Sequence, residues 1–593
     1  MCGIFGYIGK RTDAQKLVLT GLKTLEYRGY DSWGVAAIEI NTNKPISTNK
    51  IIIKKEIGKI GNANVDEMPD SSLAFGHTRW ATHGGVTKEN AHPHLDCTKN
   101  IAVIHNGIIE NYEEFKTALL AKHTFLSETD SEVAAHMIED AVLTIPFTEA
   151  VRTTFLQFTG SNAIIAIKNG ERQIVAIRNG SPLVVGYGEH EQFVASDAAG
   201  LLPYTKKVHF LEDNEMAVLT DESIKIYDAT TGKGKNITPT TLNWDITAAA
   251  KNGYATFMEK EIHEQPTILE ELLTRDDIHA LAHAITKARG TYLIGCGSAY
   301  YACLAGTYFF SAIAKRHINA CVASEFTYQE EFLNDTSLLV GLSQSGETMD
   351  IIDAVKRGVS HKATIASIVN VYGSTLWRLS TIQVQCGAGP EISVASTKDM
   401  TTKLGILLLT AYDIAGILDE GKHVLTTAIA GIKKLLEPTS IDAIKILADK
   451  LKDNKQLFVV GRGTSYPAAL ETAMKIKEIS YIHAEGLAAG ELKHGPIALI
   501  EKQTPCIVFL PNDETYAANL AAAMEMKARG GFIIGISFTP HTIFDAYIEV
   551  TDAGTASIIP NIIAGQLFAY YLTLAKHLDP DKPRNLAKSV TVK

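Results

Sequence analysis

The chain has 593 residues, 46% of them hydrophobic and 21% charged. At roughly 100 to 200 residues per domain this means three to five domains or fewer large ones, and it excludes disordered, collagen-like and low-complexity chains. Lys plus Arg number 56 against 66 Asp plus Glu, a net charge of −10, which argues against a general nucleic-acid binder needing a basic surface. Cysteines number 7, with no Cys-x-x-Cys pair. That fits neither a disulfide scaffold nor a zinc ribbon and points to a reducing compartment.

The start, Met1-Cys2-Gly3-Ile4-Phe5-Gly6, lacks the basic and apolar regions of a signal peptide, so a cytoplasmic protein is expected. Short β-branched runs follow at 51–53, 73–75, 101–105, 163–167, 173–177, 183–185, 192–195 and 216–219. Helical patterns occur only near 13–28, 112–122 and 130–141, so residues 1–240 are expected to be an α+β domain of stacked antiparallel sheets flanked by helices. The polar, aperiodic stretch from Thr238 to Asn252 reads as a connector, with the linker placed at 241–250.

Beyond it, apolar strands alternate with long helical stretches, as in parallel-sheet α/β domains. This half repeats itself. Thr291-Tyr-Leu-Ile-Gly-Cys-Gly-Ser298-Ala-Tyr300 matches Leu457-Phe-Val-Val-Gly-Arg-Gly-Thr464-Ser-Tyr466, and the segment around Ser343 to Thr348 matches the one ending at Glu514-Thr515. Two α/β domains, 251–435 and 436–582, and a tail, 583–593, are expected. The uncharged run from Ala553 to Ala575 contains Pro560, Asn561 and Gln566, which hydrocarbon satisfies poorly; it reads as a buried helix, not a membrane span.

Cys2 becomes N-terminal if Met1 is trimmed, and its own α-amine then serves as the local base for a thiol nucleophile. Taken alone it is equally a small residue beginning a strand. Arg79, in the loop Gly76-His-Thr-Arg-Trp-Ala-Thr-His83-Gly-Gly85, suits an α-carboxylate. Asn106-Gly107 offers an amide and a backbone N–H for an oxyanion, or a plain hairpin turn. Asp130 suits an ammonium group or a helix N-cap. His92-Pro-His94 has two imidazoles but too few partners for a metal. In the second half, Ser343, Gln344, Ser345 and Thr348 precede a helix beginning near Met349, a place suited to phosphate. Tyr300 stands where a dinucleotide motif needs its third glycine.

The Cys-Gly-Ile-Phe-Gly start, Arg-Gly-Tyr-Asp-Ser at 28–32 and His-x-Arg-Trp-Ala-Thr-His-Gly at 77–84 resemble the class II, N-terminal-nucleophile glutamine amidotransferases. The resemblance implies Cys2 as nucleophile, Asn106 and Gly107 as oxyanion hole, and Arg79, Trp80, Thr82, His83 and Asp130 around the glutamine, with Trp80 also a candidate gate for ammonia. The second half resembles a pair of sugar isomerase (SIS) domains. End to end, the chain is similar to the isomerizing glutamine:fructose-6-phosphate aminotransferases, through Cys-Gly-Ser-Ala-Tyr at 296–300, Ser-Gln-Ser-Gly-Glu-Thr at 343–348, Val-Ala-Ser-Thr-Lys at 394–398, Lys-Glu-Ile-Ser-Tyr-Ile-His-Ala-Glu at 477–485, Gly-Glu-Leu-Lys-His-Gly-Pro at 490–496 and the tail 583–592.

That similarity implies Glu478 as the base moving a proton between C1 and C2, Lys475 beside it, His494 in ring opening at a neighbouring subunit's site, and Lys588 as the imine-forming amine. It implies phosphosugar contacts from Gly297, Ser298, Ser343, Gln344, Ser345, Thr348, Val394 and Ser396. A homodimer using L-glutamine and D-fructose 6-phosphate, with no metal, organic cofactor, nucleic acid or membrane, is the expectation. A deglycase or an amidotransferase for another phosphosugar is the alternative enzyme, and a phosphosugar sensor the non-enzyme one. A sensor has no use for Glu478, Lys588 or a glutaminase half. Gly486-Leu487 and the final Lys593 depart from the family pattern without removing a catalytic group.

Overall fold

Side chains of the first strand, Gly3–Gly9, alternate between two apolar layers. Ile4 and Ile8 point into one core, and Phe5 and Tyr7 into another, as the two-residue period of a strand buried on both faces requires. This strand lies inside an eight-stranded antiparallel sheet, between Glu191–Ala195 and Leu73–Arg79. A second, seven-stranded antiparallel sheet contains Ile101–Gly107 and Asn162–Lys168. The two sheets share the core holding Ile4, Phe75, Ile104 and Ile165. The helix Ala14–Thr24 covers the outside of the first sheet, and the helices Glu132–Ala141 and Phe147–Phe155 cover the second. The result is a helix–sheet–sheet–helix sandwich.

The computed structural model describes residues 2–39, 50–242 and 251–590. They fall into two units, 1–247 with 587–593, and 248–586. Most of the expected linker, residues 243–250, lies outside the described residues.

Two local expectations needed correction. The helix Phe147–Phe155 was not anticipated; its buried stripe of Phe147, Ala150, Val151 and Phe155 is interrupted in sequence by β-branched residues that weaken the helical signal. The expected helix at 13–28 ends at Thr24 and is followed by a short 3-10 turn, Glu26–Arg28, which turns the buried Arg28 toward the first strand.

The second unit carries two five-stranded parallel sheets. One runs Asn319–Val322, Gly290–Gly295, Ser337–Ser343, Thr364–Val369, Ile382–Gln385; the other runs His483–Ala488, Gln456–Gly461, Pro505–Leu510, Phe532–Ser537, Ala546–Glu549. Both have the spatial order 2-1-3-4-5, so the sequence repeat is a repeat of topology. Gly297 and Gly463 take matching φ values of +56° and +57°.

The apolar helix Ile558–Ala575 packs through the middle of this unit. It is long and apolar enough to cross a membrane, but is 89% buried within the protein. Gln566 shows how its polar residues are satisfied: it accepts from Gln265 at 2.8 Å and donates to the Thr397 carbonyl at 3.3 Å. Buried polar groups need such partners.

Candidate active site

Cys2 precedes the first strand and is held from several sides. The Trp80 backbone N–H donates to its sulfur at 3.3 Å. Its carbonyl oxygen accepts from Asn106 Nδ2 at 2.9 Å, Arg28 Nε at 3.3 Å and Ser196 Oγ at 3.5 Å. These partners come from four separate segments, so the position of Cys2 is set by tertiary structure. Burial pushes the Cys2 thiol above its ordinary range, while the Trp80 N–H and the guanidinium groups of Arg79 and Arg28 pull it back.

Asn106 lies near the end of the strand Ile101–Gly107, not in a two-residue hairpin turn. Its Oδ1 lies 3.0 Å from His77 Nε2, which is also 3.1 Å from the His105 carbonyl. A carbonyl can only accept, so Nε2 carries the proton and donates to Asn106 as well. That bond fixes which end of the amide faces Cys2. Burial drives the His77 pKa down to about 3, so the ring is neutral. His92 stacks on it at 4.1 Å, and the His105 N–H donates to His92 Nδ1 at 3.2 Å. Burial also lowers the pKa values of His92, His94 and His105. Sequence reading did not single out His77 or His105, because their roles depend on partners distant in sequence.

Gly107 has φ +131°, and a Cβ there would sit 1.9 Å from the Ser161 carbonyl, so only glycine fits. Arg79 is buried and donates to the carbonyls of His83, Gly84 and Gly85, the last at 2.9 Å. The guanidinium thus braces the loop that contains the exposed Thr82 and the half-buried His83. His83 lies edge-on to Tyr112, with its Nδ1 buried and without a hydrogen-bond partner among the described residues. Asp130 does not cap the following helix. Its carboxylate accepts from the Ile109 N–H at 2.8 Å and from Ser131 Oγ at 3.3 Å. Trp80 is half-buried.

In the second unit, Ser343 ends a strand and Thr348 stands immediately before the helix Met349–Ser360, without a side-chain capping bond among the described residues. Ser343 Oγ accepts from the Gly346 N–H at 2.9 Å, and Ser345 Oγ from the Glu347 N–H at 3.1 Å. Ser343 and Thr348 hydroxyls lie 3.3 Å apart. The loop is therefore wound tightly, with its hydroxyls gathered at a helix N-terminus. Gln344 holds it to the next loop by accepting from the Val371 N–H at 3.3 Å.

Ser298 opens the helix Ser298–Ala312 directly after Gly297 and donates to Glu471 at 3.1 Å. Glu471, Lys475 and Glu478 share one face of the helix Ser465–Ser480. Lys475 Nζ is 2.5 Å from Glu478 and 3.5 Å from Glu471. Burial alone would neutralise this lysine, but the two carboxylates hold its pKa above the ordinary lysine range. Burial raises the Glu471 pKa despite Lys475. Glu471 is fully buried and was missed from sequence, where a helical Glu four residues before a Lys reads as an ordinary surface pair.

Ser396 donates to Glu391 at 3.4 Å, and the Val394 N–H donates to the Asp581 carbonyl at 3.0 Å. Arg584 is anchored on Tyr481, its N–H donating to the phenol oxygen at 2.7 Å and its guanidinium 4.2 Å above the ring. Tyr481 ends the helix that carries Glu478. His494 is exposed on the 3-10 turn Glu491–His494. Lys588 is half-buried and groups with the first unit.

A glutamine amidotransferase domain family model matches residues 77–203, and the SIS domain model matches 284–412 and 450–574. The chain is 41% identical to the glutamine–fructose-6-phosphate aminotransferase [isomerizing] of Pyrococcus horikoshii and 40% identical to that of Aquifex aeolicus, each alignment covering 100% of both chains. Among solved structures, the C-terminal domain of glucosamine-fructose-6-phosphate aminotransferase from Francisella tularensis superposes with a TM-score of 0.52 at 31% identity, covering 56% of this chain and 99% of that one. Tagatose-6-phosphate ketose/aldose isomerase from Escherichia coli shares the fold at TM-score 0.50 and 18% identity, covering 57% and 98%.

Proposed function

The chain belongs to the family of isomerizing glutamine–fructose-6-phosphate aminotransferases, and we propose how its residues divide that reaction, in which fructose 6-phosphate and glutamine become glucosamine 6-phosphate and glutamate. Residues 1–240 act as the glutaminase, 241–250 as linker, 251–435 and 436–582 as the phosphosugar domains, and 583–593 as a catalytic tail. With Met1 removed, the Cys2 α-amine takes the thiol proton and the sulfur attacks the glutamine amide carbon. Asn106 Nδ2 and the Gly107 N–H stabilise the oxyanion as the C–N bond breaks and ammonia leaves. Water then hydrolyses the thioester to glutamate. Arg79 and the loop it braces, with Trp80, Thr82, His83 and Asp130, hold the glutamine.

In the second unit the Ser343-Gln344-Ser345 loop and Thr348 take the sugar phosphate, where hydroxyls and a helix N-terminus favour an anion. Gly297, Ser298, Val394 and Ser396 line the sugar. Lys588 forms an imine with the ketose at C2 with loss of water, ammonia displaces the lysine there, and Glu478, paired with Lys475 at 2.5 Å, moves the proton between C1 and C2. His494 opens the ring in the partner of a homodimer. All these groups belong to the protein, so the reaction is written without a cofactor. The cysteine usage supports a cytoplasmic setting.

The observation that carries the glutaminase assignment is the convergence on Cys2 of the Trp80 N–H at 3.3 Å and Asn106 Nδ2 at 2.9 Å. Incubation of the chain with glutamine and fructose 6-phosphate tests the whole reading. Wild type is expected to yield glucosamine 6-phosphate and glutamate in equal amounts, and Cys2→Ala to yield neither from glutamine. Ammonia release without amino sugar counts against the acceptor assignment.

A further inference from the structure

Four side chains of the first unit meet at a point that the glutaminase chemistry does not use. Cys97 lies in the turn between strands His94–Leu95 and Ile101–Gly107, and His123 follows the helix Tyr112–Leu119. His136 and Glu139 lie one turn apart on the helix Glu132–Ala141. One ligand atom from each, the Cys97 sulfur, the two Nδ1 atoms and a Glu139 oxygen, all lie within 4.8 Å of one another.

Four of the six edges of this cluster match a metal tetrahedron, and the other two are within 4.8 Å. Cys97 Sγ is 3.6 Å from His123 Nδ1 and 3.7 Å from His136 Nδ1. Glu139 Oε2 is 3.1 Å from His123 Nδ1 and 3.3 Å from His136 Nδ1. With zinc–sulfur bonds of about 2.3 Å and zinc–nitrogen or zinc–oxygen bonds of about 2.0 to 2.1 Å, tetrahedral geometry places sulfur about 3.6 Å from nitrogen and oxygen about 3.3 Å from nitrogen. Ordinary thiol packing gives no reason for one sulfur to meet two imidazole nitrogens and a carboxylate together.

The surroundings have the form that orients metal ligands. Each histidine presents Nδ1 to the cluster; His123 Nε2 is hydrogen-bonded to Asp140 at 3.1 Å, while His136 Nε2 lies 3.6 Å from Glu132, beyond hydrogen-bond reach. The Asp140 contact fixes the orientation of the His123 ring, as outer carboxylates do for metal-ligating histidines. The Thr124 N–H donates to the Cys97 sulfur at 3.5 Å. His136 is buried while Cys97 is exposed, leaving a route for an ion to enter. A metal ion binding here displaces the protons of the thiol and of the two ligating imidazole nitrogens, and the resulting thiolate and carboxylate match the charge of one divalent cation.

We propose that Cys97, His123, His136 and Glu139 bind a zinc-like divalent transition metal that ties the turn at Cys97 and the segment at His123 to the helix Glu132–Ala141. This departs from the metal-free expectation. Separations of 26 and 39 residues from Cys97 to the two histidines resemble no short metal motif, so no local pattern marks the site.

The test uses the full chain, stripped with chelator, desalted and titrated with zinc against a fluorescent zinc indicator, with cobalt in a parallel spectroscopic titration. One zinc per chain is expected, with affinity reduced at least about 100-fold in Cys97→Ser and in His136→Gln and unchanged in Cys2→Ala. Cobalt should give a thiolate charge-transfer band that Cys97→Ser abolishes. Glutaminase activity of Cys97→Ser serves as the folding control, and this exposed position keeps the test valid if His136→Gln fails to fold. Failure of wild type to retain zinc, equal retention by Cys97→Ser, or loss of zinc in Cys2→Ala would overturn the proposal.

Discussion

The Nε2–H of His77 donates to Oδ1 of Asn106 at 3.0 Å, and the other end of the same amide donates to the Cys2 carbonyl. One neutral imidazole therefore decides which way the candidate oxyanion donor faces. Replacing Asn106 by Ala removes the donor itself, and kcat for glutamine hydrolysis should fall about 100- to 1000-fold with KM little changed. His77→Ala leaves the donor but frees the amide to rotate, so a smaller kcat loss is expected. His77→Gln, which restores an N–H in that direction, should recover part of it. Steady-state glutaminase kinetics on the three variants check this; equal losses in His77→Ala and His77→Gln would contradict the orienting role.

The same histidines set an acid limit. A histidine whose pKa is lower folded than unfolded is protonated preferentially in the unfolded chain. Its contribution to stability is thus complete above about pH 6.5 and declines as pH falls toward the folded value. For His77 that window runs from about pH 6.5 down to about 3, and His92, His94 and His105 shift in the same direction. Each such group adds a slope of about 1.4 kcal/mol per pH unit within its window. The unfolding midpoint of the first unit, followed by loss of glutaminase activity on heating, should drop between pH 6.5 and 5. A flat midpoint there would contradict it.

Lys475 separates two carboxylates inside the protein. Lys475→Met leaves Glu471 fully buried without its cation, and breaking a buried pair in this way costs about 3 to 5 kcal/mol. Sugar-dependent activity should be lost and the second unit should melt earlier, whereas glutamine hydrolysis survives. Glu471→Gln in the same background should restore part of the stability, because it removes the uncompensated charge. Calorimetry of the single and double variants measures this, and no recovery in the double variant would contradict it.

The hydroxyl loop depends on Gly346. At φ +66° a Cβ would lie 2.0 Å from Ser374 Oγ, so Gly346→Ala must unwind the loop that gathers Ser343, Ser345 and Thr348. KM for fructose 6-phosphate is expected to rise at least about tenfold while glutaminase activity without sugar stays as in wild type. An unchanged KM would show that the loop does not bind the phosphate.

Much of the fold can be read from local pattern. The runs at 73–75 and 101–105 became strands because their alternating residues find a core on each side, and the repeated Gly-x-Gly segments became equivalent strand-to-helix turns. The hydroxyl-rich turn before the helix Met349–Ser360 was also legible, because its residues are adjacent in sequence. His77, Arg28 and Glu471 were not, since each acts on a group more than twenty residues away and looks ordinary among its neighbours. The four-residue cluster at Cys97 is the extreme case: its ligands come from three elements that only the folded sandwich brings together.

The central claim is that nitrogen released at Cys2 ends on the sugar. The most direct measurement supplies glutamine with heavy nitrogen in its side-chain amide, together with fructose 6-phosphate, and determines the isotope in the amino sugar by mass spectrometry. Heavy nitrogen is expected at the C2 amino group of glucosamine 6-phosphate, one atom per glutamate formed, and none with Cys2→Ala. Amino sugar without the label, or labelled product persisting in Cys2→Ala, would contradict it.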